Sequence, residues 1–304
     1  MPSDSLVSII TPSFNTGRFL EETIQSVLSQ DYPHIEYIVM DGGSTDGTLD
    51  ILKSHAHQLT YVSAPDGGVA DAINKGFIEA RGAILAWLSA DDTYLPGAVS
   101  MAVDALIANP DAAAAYGEGY WTSVGGEVLG RYPTAPYNPS MFTRECTICQ
   151  PTCFVRREAI ETVGMLNAAL RASFDYDLWI RLAKRYRFAY VPEYLATSRM
   201  HPENKTLRNR PLVFQESVAL LAQHYGYVPV SWVYGHLSFL RDRRDQFFEP
   251  LRDSITTYLL SLPVGIRWNY RHPLRYFVEW LSPGKSVNLP RTWRRIFRST
   301  GASR

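Results

Sequence analysis

Two adjacent carboxylates, Asp91 and Asp92, stand with Ser89 and Ala90 at the mouth of an apolar run over residues 83–88. Neighbouring carboxylates repel unless donors or a cation satisfy them, and Mg²⁺ or Mn²⁺ bridging to phosphate oxygens would do so. The same pair also suits a helix cap ahead of Tyr94-Leu95-Pro96-Gly97, so alone it decides nothing. Upstream, Thr11-Pro12-Ser13-Phe14-Asn15 and residues 41–47 close two further apolar runs with hydroxyl, amide and carboxylate groups. Asp41 can accept from a base imide or a ribose hydroxyl, Gly42 and Gly43 let backbone approach a ligand, and Asp46 can cap the next helix. Asp66-Gly67-Gly68, and then Asp71 to Gly76 with Asn74 and Lys75, follow a third run.

Groups so dispersed meet only if the fold gathers them. Short β-branched runs over 6–10, 35–40, 59–63, 83–88 and 113–116 predict strands, and helical spacing over 69–80 and 96–108 predicts helices between them. Such alternation predicts an α/β fold: a mostly parallel sheet with helices on both faces and ligands along its carboxyl edge. Residues 117–139 read as hairpin and loop, 157–163 and 176–186 as helices, with an interruption at Pro192. Helical spacing resumes over 212–225, 230–248 and 251–260. A boundary near Pro211 divides an α/β domain over 1–210 from a helical, basic and aromatic extension over 211–304.

In order and spacing, these turns resemble the inverting family two of GT-A glycosyltransferases from Val7 to about Lys205. Val7 to Asn15 resembles that family's opening strand, and Ile38 to Thr48 its second. The resemblance implies that Thr11, Pro12, Asn15 and Asp41 contact the nucleoside, Asp66 the base or ribose side, and Asn74 and Lys75 the neighbourhood of the diphosphate. Ser89-Ala90-Asp91-Asp92 occupies the place of the metal-binding DxD motif, with Ser89 where many members carry the first Asp. Asp91 is then the expected direct ligand of Mn²⁺ or Mg²⁺, with Ala90 and Asp92 beside the donor.

Phe174-Asp175-Tyr176-Asp177-Leu178-Trp179 resembles the acidic segment at the start of a helix, so the family's base maps to Asp175, with Asp177 in reserve. Inversion needs one carboxylate to take the acceptor hydroxyl proton while the nucleoside diphosphate leaves from the other face. Arg199-Met200-His201 resembles the region where related enzymes set a His near metal and diphosphate; a structural His is equally open there. Gln150 falls in a segment beside the sugar pocket, within reach of sugar or acceptor. The Gln-x-x-Arg-Trp signature of processive members is missing, so transfer is expected to be non-processive. Residues 66–76 most resemble enzymes of bacterial surface-polysaccharide synthesis. That implies a nucleotide-sugar donor, UDP-linked above all, and a glycan or lipid-linked acceptor.

Thirty basic and thirty acidic residues cancel, so no nucleic-acid partner is expected. From Phe239 to Arg304, however, thirteen Arg or Lys face five Asp or Glu, interleaved with Trp268, Tyr270, Tyr276, Trp280 and Trp293. Two readings stand: an interfacial segment on an anionic membrane, or a helical subdomain packed on the body or on an oligomer partner. With neither a signal peptide nor a run long enough to span a bilayer, the expected location is cytoplasmic, at most peripheral to the inner membrane face. Cys146, Cys149 and Cys153 are too few for a disulfide framework, and their spacing lacks a fourth metal ligand. A sugar-nucleotide nucleotidyltransferase would carry a Gly-rich basic loop after the first strand, where residues 11–17 have none. A glycosidase needs two opposed carboxylates, not an adjacent pair. The nucleotidyltransferase, and a non-catalytic nucleotide-binding module with a membrane- or nucleic-acid-binding tail, remain as the alternatives, and hydrolysis of donor without acceptor separates the binding module.

Overall fold

The structure, a computed structural model, describes residues 4–144, 146–201, 204–242 and 254–281. The chain forms two compact units, one of Met1–Phe142 with Cys146–Asn204, the other of Thr143–Glu145 with Lys205–Arg304.

In the first unit β1 (Val7–Ser13), α1 (Gly17–Leu28), β2 (Ile35–Asp41), α2 (Thr48–Ser54), β3 (Thr60–Ser63), α3 (Val69–Glu79) and β4 (Ile84–Trp87) alternate as the sequence predicts. The four strands pair in parallel in the order β3-β2-β1-β4. Side chains alternate across a sheet, so register assigns each residue a face. Val7, Ile9, Tyr37, Val39, Ile84 and Ala86 share one face and pack against Leu20, Ile24 and Val27 of α1 and Leu52 of α2. On the other face α3 comes so near that a Cβ on Gly76 would lie 2.6 Å from Cγ2 of Ile10.

The unit continues with β5 (Thr93–Tyr94), α4 (Ala98–Ala108), β6 (Ala112–Thr122), β7 (Val128–Arg131), β8 (Phe154–Arg156) and α5 (Arg157–Val163). After them come α6 (Phe174–Ala183) and β9 (Arg187–Arg199). The sheet continues β4-β8-β6-β9-β5, with β7 paired to β6. β6 and β9 run parallel over most of their length, while β8, β7 and β5 join antiparallel. α4 joins the first face through Val99 and Val103. α6 covers the second, where Trp179 stacks on Trp87 with ring centroids 5.4 Å apart.

The sequence reading ends a strand at residue 116 and places none over 187–199, and the structure corrects both. Gly117 pairs with Val191 but Glu118 pairs with Tyr194, so Pro192 falls in a bulge where its missing N–H breaks no ladder bond. A Cβ on Gly117 would meet the Leu195 side chain at 2.7 Å, which is why the bend needs glycine. Residues that read as strand breakers are the hinge of one long, bent pair.

The second unit holds α7 (Lys205–Arg208), α8 (Arg210–Tyr225), α9 (Val230–Asp242), α10 (Ile255–Trp268) and α11 (Pro273–Leu281). Gly226, at φ 64°, ends α8 in the left-handed region, and Ser254 caps α10 by accepting from the Thr257 N–H at 3.2 Å. Of the expected helices over 230–248 and 251–260, helix is observed over Val230–Asp242 and Ile255–Trp268, and residues 243–253 lie outside the described ones. Tyr258, Tyr276 and Trp280 are buried, with Trp280 stacked on Tyr258 at 4.7 Å and its Nε1 donating to the Tyr258 carbonyl at 3.1 Å. Tyr258, Tyr276 and Trp280 therefore pack inward while Tyr270 is exposed; Trp293, Arg294, Arg295 and Arg298 lie outside the described residues. Among the described residues, no helix is long and apolar enough to cross a membrane.

Candidate active site

The carboxyl ends of β1, β2 and β3 meet around Asp41. This carboxylate is buried and accepts from the Ser44 N–H (3.0 Å), Gly43 N–H (3.2 Å), Ser44 Oγ (2.5 Å) and Ser63 Oγ (2.6 Å). Asn15, exposed and at φ 52°, ties the first two turns together: its N–H donates to Ser44 Oγ at 2.7 Å, and its Oδ1 accepts from the Thr45 N–H at 2.9 Å. Asp46 accepts from the Gly17 and Thr48 N–H groups, each at 3.0 Å, and so joins α1 to α2. Asp66 reaches the same edge, since a Cβ on Gly42 would sit 2.8 Å from its Oδ2, and the Gly68 N–H binds its Oδ1 at 2.7 Å. Thr11 and Pro12, expected as nucleoside contacts, are buried, and Thr11 Oγ1 bonds the buried Tyr37 hydroxyl at 3.0 Å. Alternation turns Thr11 into the core, so its part is to fix the strand beneath the edge.

Beyond β4 the Ser89-Ala90-Asp91-Asp92 turn is held from two sides. Thr23 of α1 donates its hydroxyl to the Ala90 carbonyl (2.9 Å) and the Asp92 carbonyl (2.8 Å). Arg199, at the end of β9, donates its N–H to Asp92 Oδ1 (2.9 Å) and its Nε to the Asp91 carbonyl (3.0 Å). Its remaining nitrogens bind the Val124 carbonyl (2.7 Å) and Glu22 (2.6 Å), and the guanidinium lies over the Phe19 ring. Asp92 is turned inward; burial first, and the neighbouring Asp91 second, push its carboxyl well above the usual range against the Arg199 and Ser198 donors. Asp91 is partly exposed, and its Oδ2 lies 2.9 Å from His201 Nε2. The adjacent pair thus divides into a buried carboxyl and a partly exposed one. Ala90 is itself buried and offers only backbone.

Ligands cis to one another on an octahedral cation with bonds of about 2.1 Å sit about 3 Å apart. The Asp91–His201 separation fits that spacing, and carboxylate with imidazole suits Mn²⁺. Among the described residues no cluster of three or more His, Cys, Asp or Glu is poised to hold a metal. A cation here would complete its shell with phosphate oxygens and water. Cys149 and Cys153 are buried, and burial pushes both thiols up.

Asp175 and Asp177 part company on α6. Residues four apart share a helix face, so Asp175 shares the face of Trp179, which stacks beneath the end of β4, and stays half-buried there. Asp177 is 4% exposed and pairs with Arg181 Nε at 2.8 Å, while that guanidinium also binds the Val163, Gly164 and Met165 carbonyls. Burial and this clamp set the reserve candidate apart from Asp175, because a base must be within reach of the acceptor hydroxyl. Asn74 is set apart as well: its amide is spent on both backbone groups of Leu166, at 2.8 and 3.0 Å, and holds α3 to the loop before α6. Lys75 is exposed and pairs with Asp71 at 2.9 Å. Gln150 donates to the Trp87 carbonyl at 2.8 Å, at the last residue of β4. Sequence reasoning missed Thr23 and Arg199, whose roles come from contacts 67 to 177 residues apart along the chain.

A family model described as "Glycosyl transferase family 2" matches residues 8–164. The "Uncharacterized glycosyltransferase RP339" of Rickettsia prowazekii is 28% identical over 214 residues, 66% of each chain. The "Putative teichuronic acid biosynthesis glycosyltransferase TuaG" of Bacillus subtilis is 31% identical over 205 residues, 64% of this chain and 79% of that one. The match therefore spans just under two thirds of the Rickettsia relative. Staphylococcus aureus TarS 1–349, solved in complex with UDP-GlcNAc, superposes with a TM-score of 0.57 at 16% identity, covering 86% of this chain and 81% of that one. The mannosyltransferase PcManGT of Pyrobaculum calidifontis, solved with GDP-Man and Mn²⁺, gives 0.55 at 18%, covering 91% and 84%. At these identities the likeness is one of fold, and the fold is GT-A.

Proposed function

Because the chain belongs to glycosyltransferase family 2, we propose that it moves a sugar, with inversion, from a nucleoside-diphosphate sugar to a hydroxyl of a glycan or lipid-linked acceptor, without processive extension. The observation that carries this reading is the partly buried pair of Asp91 and His201, 2.9 Å apart on the sheet edge where Asn15, Asp41 and Asp66 also converge. The turns after β1, β2 and β3 hold the nucleoside; Asp91 and His201 hold Mn²⁺ or Mg²⁺. That cation, when bound, supplies positive charge opposite the diphosphate. Asp92 stays buried and shapes the turn, and Arg199 and Thr23 fix it from behind. Lys75 lies toward the diphosphate, with Gln150 beside the sugar.

Asp175 takes the proton from the acceptor hydroxyl as its oxygen bonds to the anomeric carbon. The bond from that carbon to the diphosphate oxygen breaks on the opposite face, and its electron pair leaves with the nucleoside diphosphate. The UDP-GlcNAc complex of TarS supports a UDP-sugar donor, the Mn²⁺ complex of PcManGT supports the cation, and the name of TuaG supports a surface polysaccharide as product. The basic stretch from Phe239 to Arg304 supports work beside an anionic membrane, where a lipid-linked acceptor resides.

Calorimetry with UDP and GDP, with and without Mn²⁺, on wild type, Asp91→Ala and His201→Ala tests the reading. Wild type should bind one nucleotide more tightly with Mn²⁺, and both variants should lose that gain. Affinity indifferent to metal and to both substitutions refutes the site, and release of pyrophosphate rather than nucleoside diphosphate on turnover points instead to nucleotidyl transfer.

A further inference from the structure

Helix α11 is apolar on two sides, and among the described residues only one of them is covered. Tyr276 and Trp280, one turn apart, point inward onto Tyr258, Ser261 and Gly265; the Tyr276 ring fills the space a Cβ on Gly265 would need. Leu274, Phe277, Val278 and Leu281, at i, i+3, i+4 and i+7, form the opposite stripe and are 78%, 40%, 64% and 39% exposed. An apolar stripe left exposed on a helix that also carries Arg275 and Glu279 calls for a partner that is apolar at the stripe and polar at its border.

Charge tells what that medium is. From residue 254 to the end of the sequence there are nine Arg or Lys and one acidic residue, Glu279. That carboxylate is withdrawn from the surface, accepting from the Tyr227 hydroxyl and from the Val230 N–H at 3.1 Å. The other charged residues on α11 and its approach, Arg267, Arg271 and Arg275, are exposed, and Arg275 stands over the Tyr227 ring at 3.9 Å. The 23 residues beyond Leu281 add Lys285, Arg291, Arg294, Arg295, Arg298 and Arg304 and no acid.

We propose that the outer stripe of α11, with Arg267, Arg271 and Arg275 beside it, is the face by which this chain lies on an anionic lipid membrane. The proposal deepens the membrane element of the function above and reassigns its contacts. Tyr276 and Trp280 hold the helix to its own unit, while aliphatic side chains and Phe277 enter the headgroup boundary and the arginines meet lipid phosphates.

Flotation of the full chain with phosphatidylglycerol and with phosphatidylcholine vesicles tests it. Wild type should float with the anionic vesicles and be released as salt rises. Leu274→Glu with Val278→Glu, at positions exposed enough to spare the fold, should lower the bound fraction roughly tenfold or more, and Arg271→Glu with Arg275→Glu should abolish the preference for anionic lipid. Donor hydrolysis at the wild-type rate and an unchanged circular dichroism spectrum in these variants show that fold and site are intact. The proposal is overturned if the stripe variant floats like wild type. It is equally overturned if wild type stays in solution as a dimer that this variant splits. Stripe-dependent flotation by a protein that binds no nucleotide supports the docking face while refuting glycosyl transfer, so the two readings fail separately.

Discussion

Replacing Arg199 with Lys keeps the charge and removes the fork, and the structure sets what that costs. The guanidinium bonds three acceptors, the Asp91 carbonyl at 3.0 Å, the Val124 carbonyl at 2.7 Å and Glu22 at 2.6 Å. An ammonium at the end of a flexible stem reaches one carbonyl and leaves the other without a partner. Glu22 is 59% exposed on its side chain and returns to water, so its loss amounts to under about 1 kcal/mol. An orphaned buried carbonyl costs about 1–3 kcal/mol. The sum is about 1–4 kcal/mol, which for a domain of this size lowers Tm by about 2–16 °C. Because the lost bond positions the main chain of Asp91, apparent Mn²⁺ affinity should also fall about 10- to 100-fold, as when a group that orients a metal ligand is removed. Urea denaturation reads the first quantity, and nucleotide binding titrated against Mn²⁺ reads the second. A variant within 1 kcal/mol of wild type refutes the accounting. One that is destabilised but keeps its metal dependence refutes the claim that Arg199 sets the ligand.

Three further outcomes are expected. Asp175→Asn should reduce kcat by a factor of about 10² or more with donor affinity nearly unchanged, whereas Asp177→Asn should lower stability through Arg181 and leave a working enzyme; steady-state kinetics with nucleotide release distinguishes them. Burial opposes ionisation of Glu36, but donors from Ser8 Oγ (2.6 Å) and from the Arg81 N–H and Nε (2.7 Å each) outweigh it and hold the carboxyl below its usual range. Its stabilising share is present above the unfolded glutamate value of about 4.3 and is lost as pH falls through the lower folded value; Glu36→Gln should cost about 1–2 kcal/mol at pH 7 and much less near pH 3, checked by denaturant melts at both. Gly82→Ala puts a Cβ 2.6 Å from the Ser8 N and 2.7 Å from the Leu6 carbonyl, both backbone. It should destabilise by about 3 kcal/mol or more, and a Tm equal to wild type counts against that close approach.

The sequence by itself determined the parallel core and the edge where its strand-to-helix turns gather. β1 to β4 announce themselves as short β-branched runs between helices, and a turn at a strand's carboxyl end lies at the edge whichever way its side chains point. Asp41, Asp66 and Asp91 were legible for that reason. Side-chain direction was not, because it follows from partners far along the chain. Thr11 turns into the core against Tyr37, Asn74 is consumed by Leu166, and Asp177 is taken by Arg181. The choice between two aspartates separated by one residue needed the Trp87–Trp179 stack to say which helix face meets the sheet. β9 was hidden because Pro192 breaks a local pattern, and only its long pairing with β6 shows that the break is a bulge. In the C-terminal helices, composition announced Trp and Arg but could not sort them: burial sends Trp280 inward, Glu279 into a hydrogen-bonded niche and Leu274 to the surface. Local pattern fixes where a residue stands along the chain, and tertiary packing, through burial and long-range hydrogen bonds, decides which groups remain for a ligand.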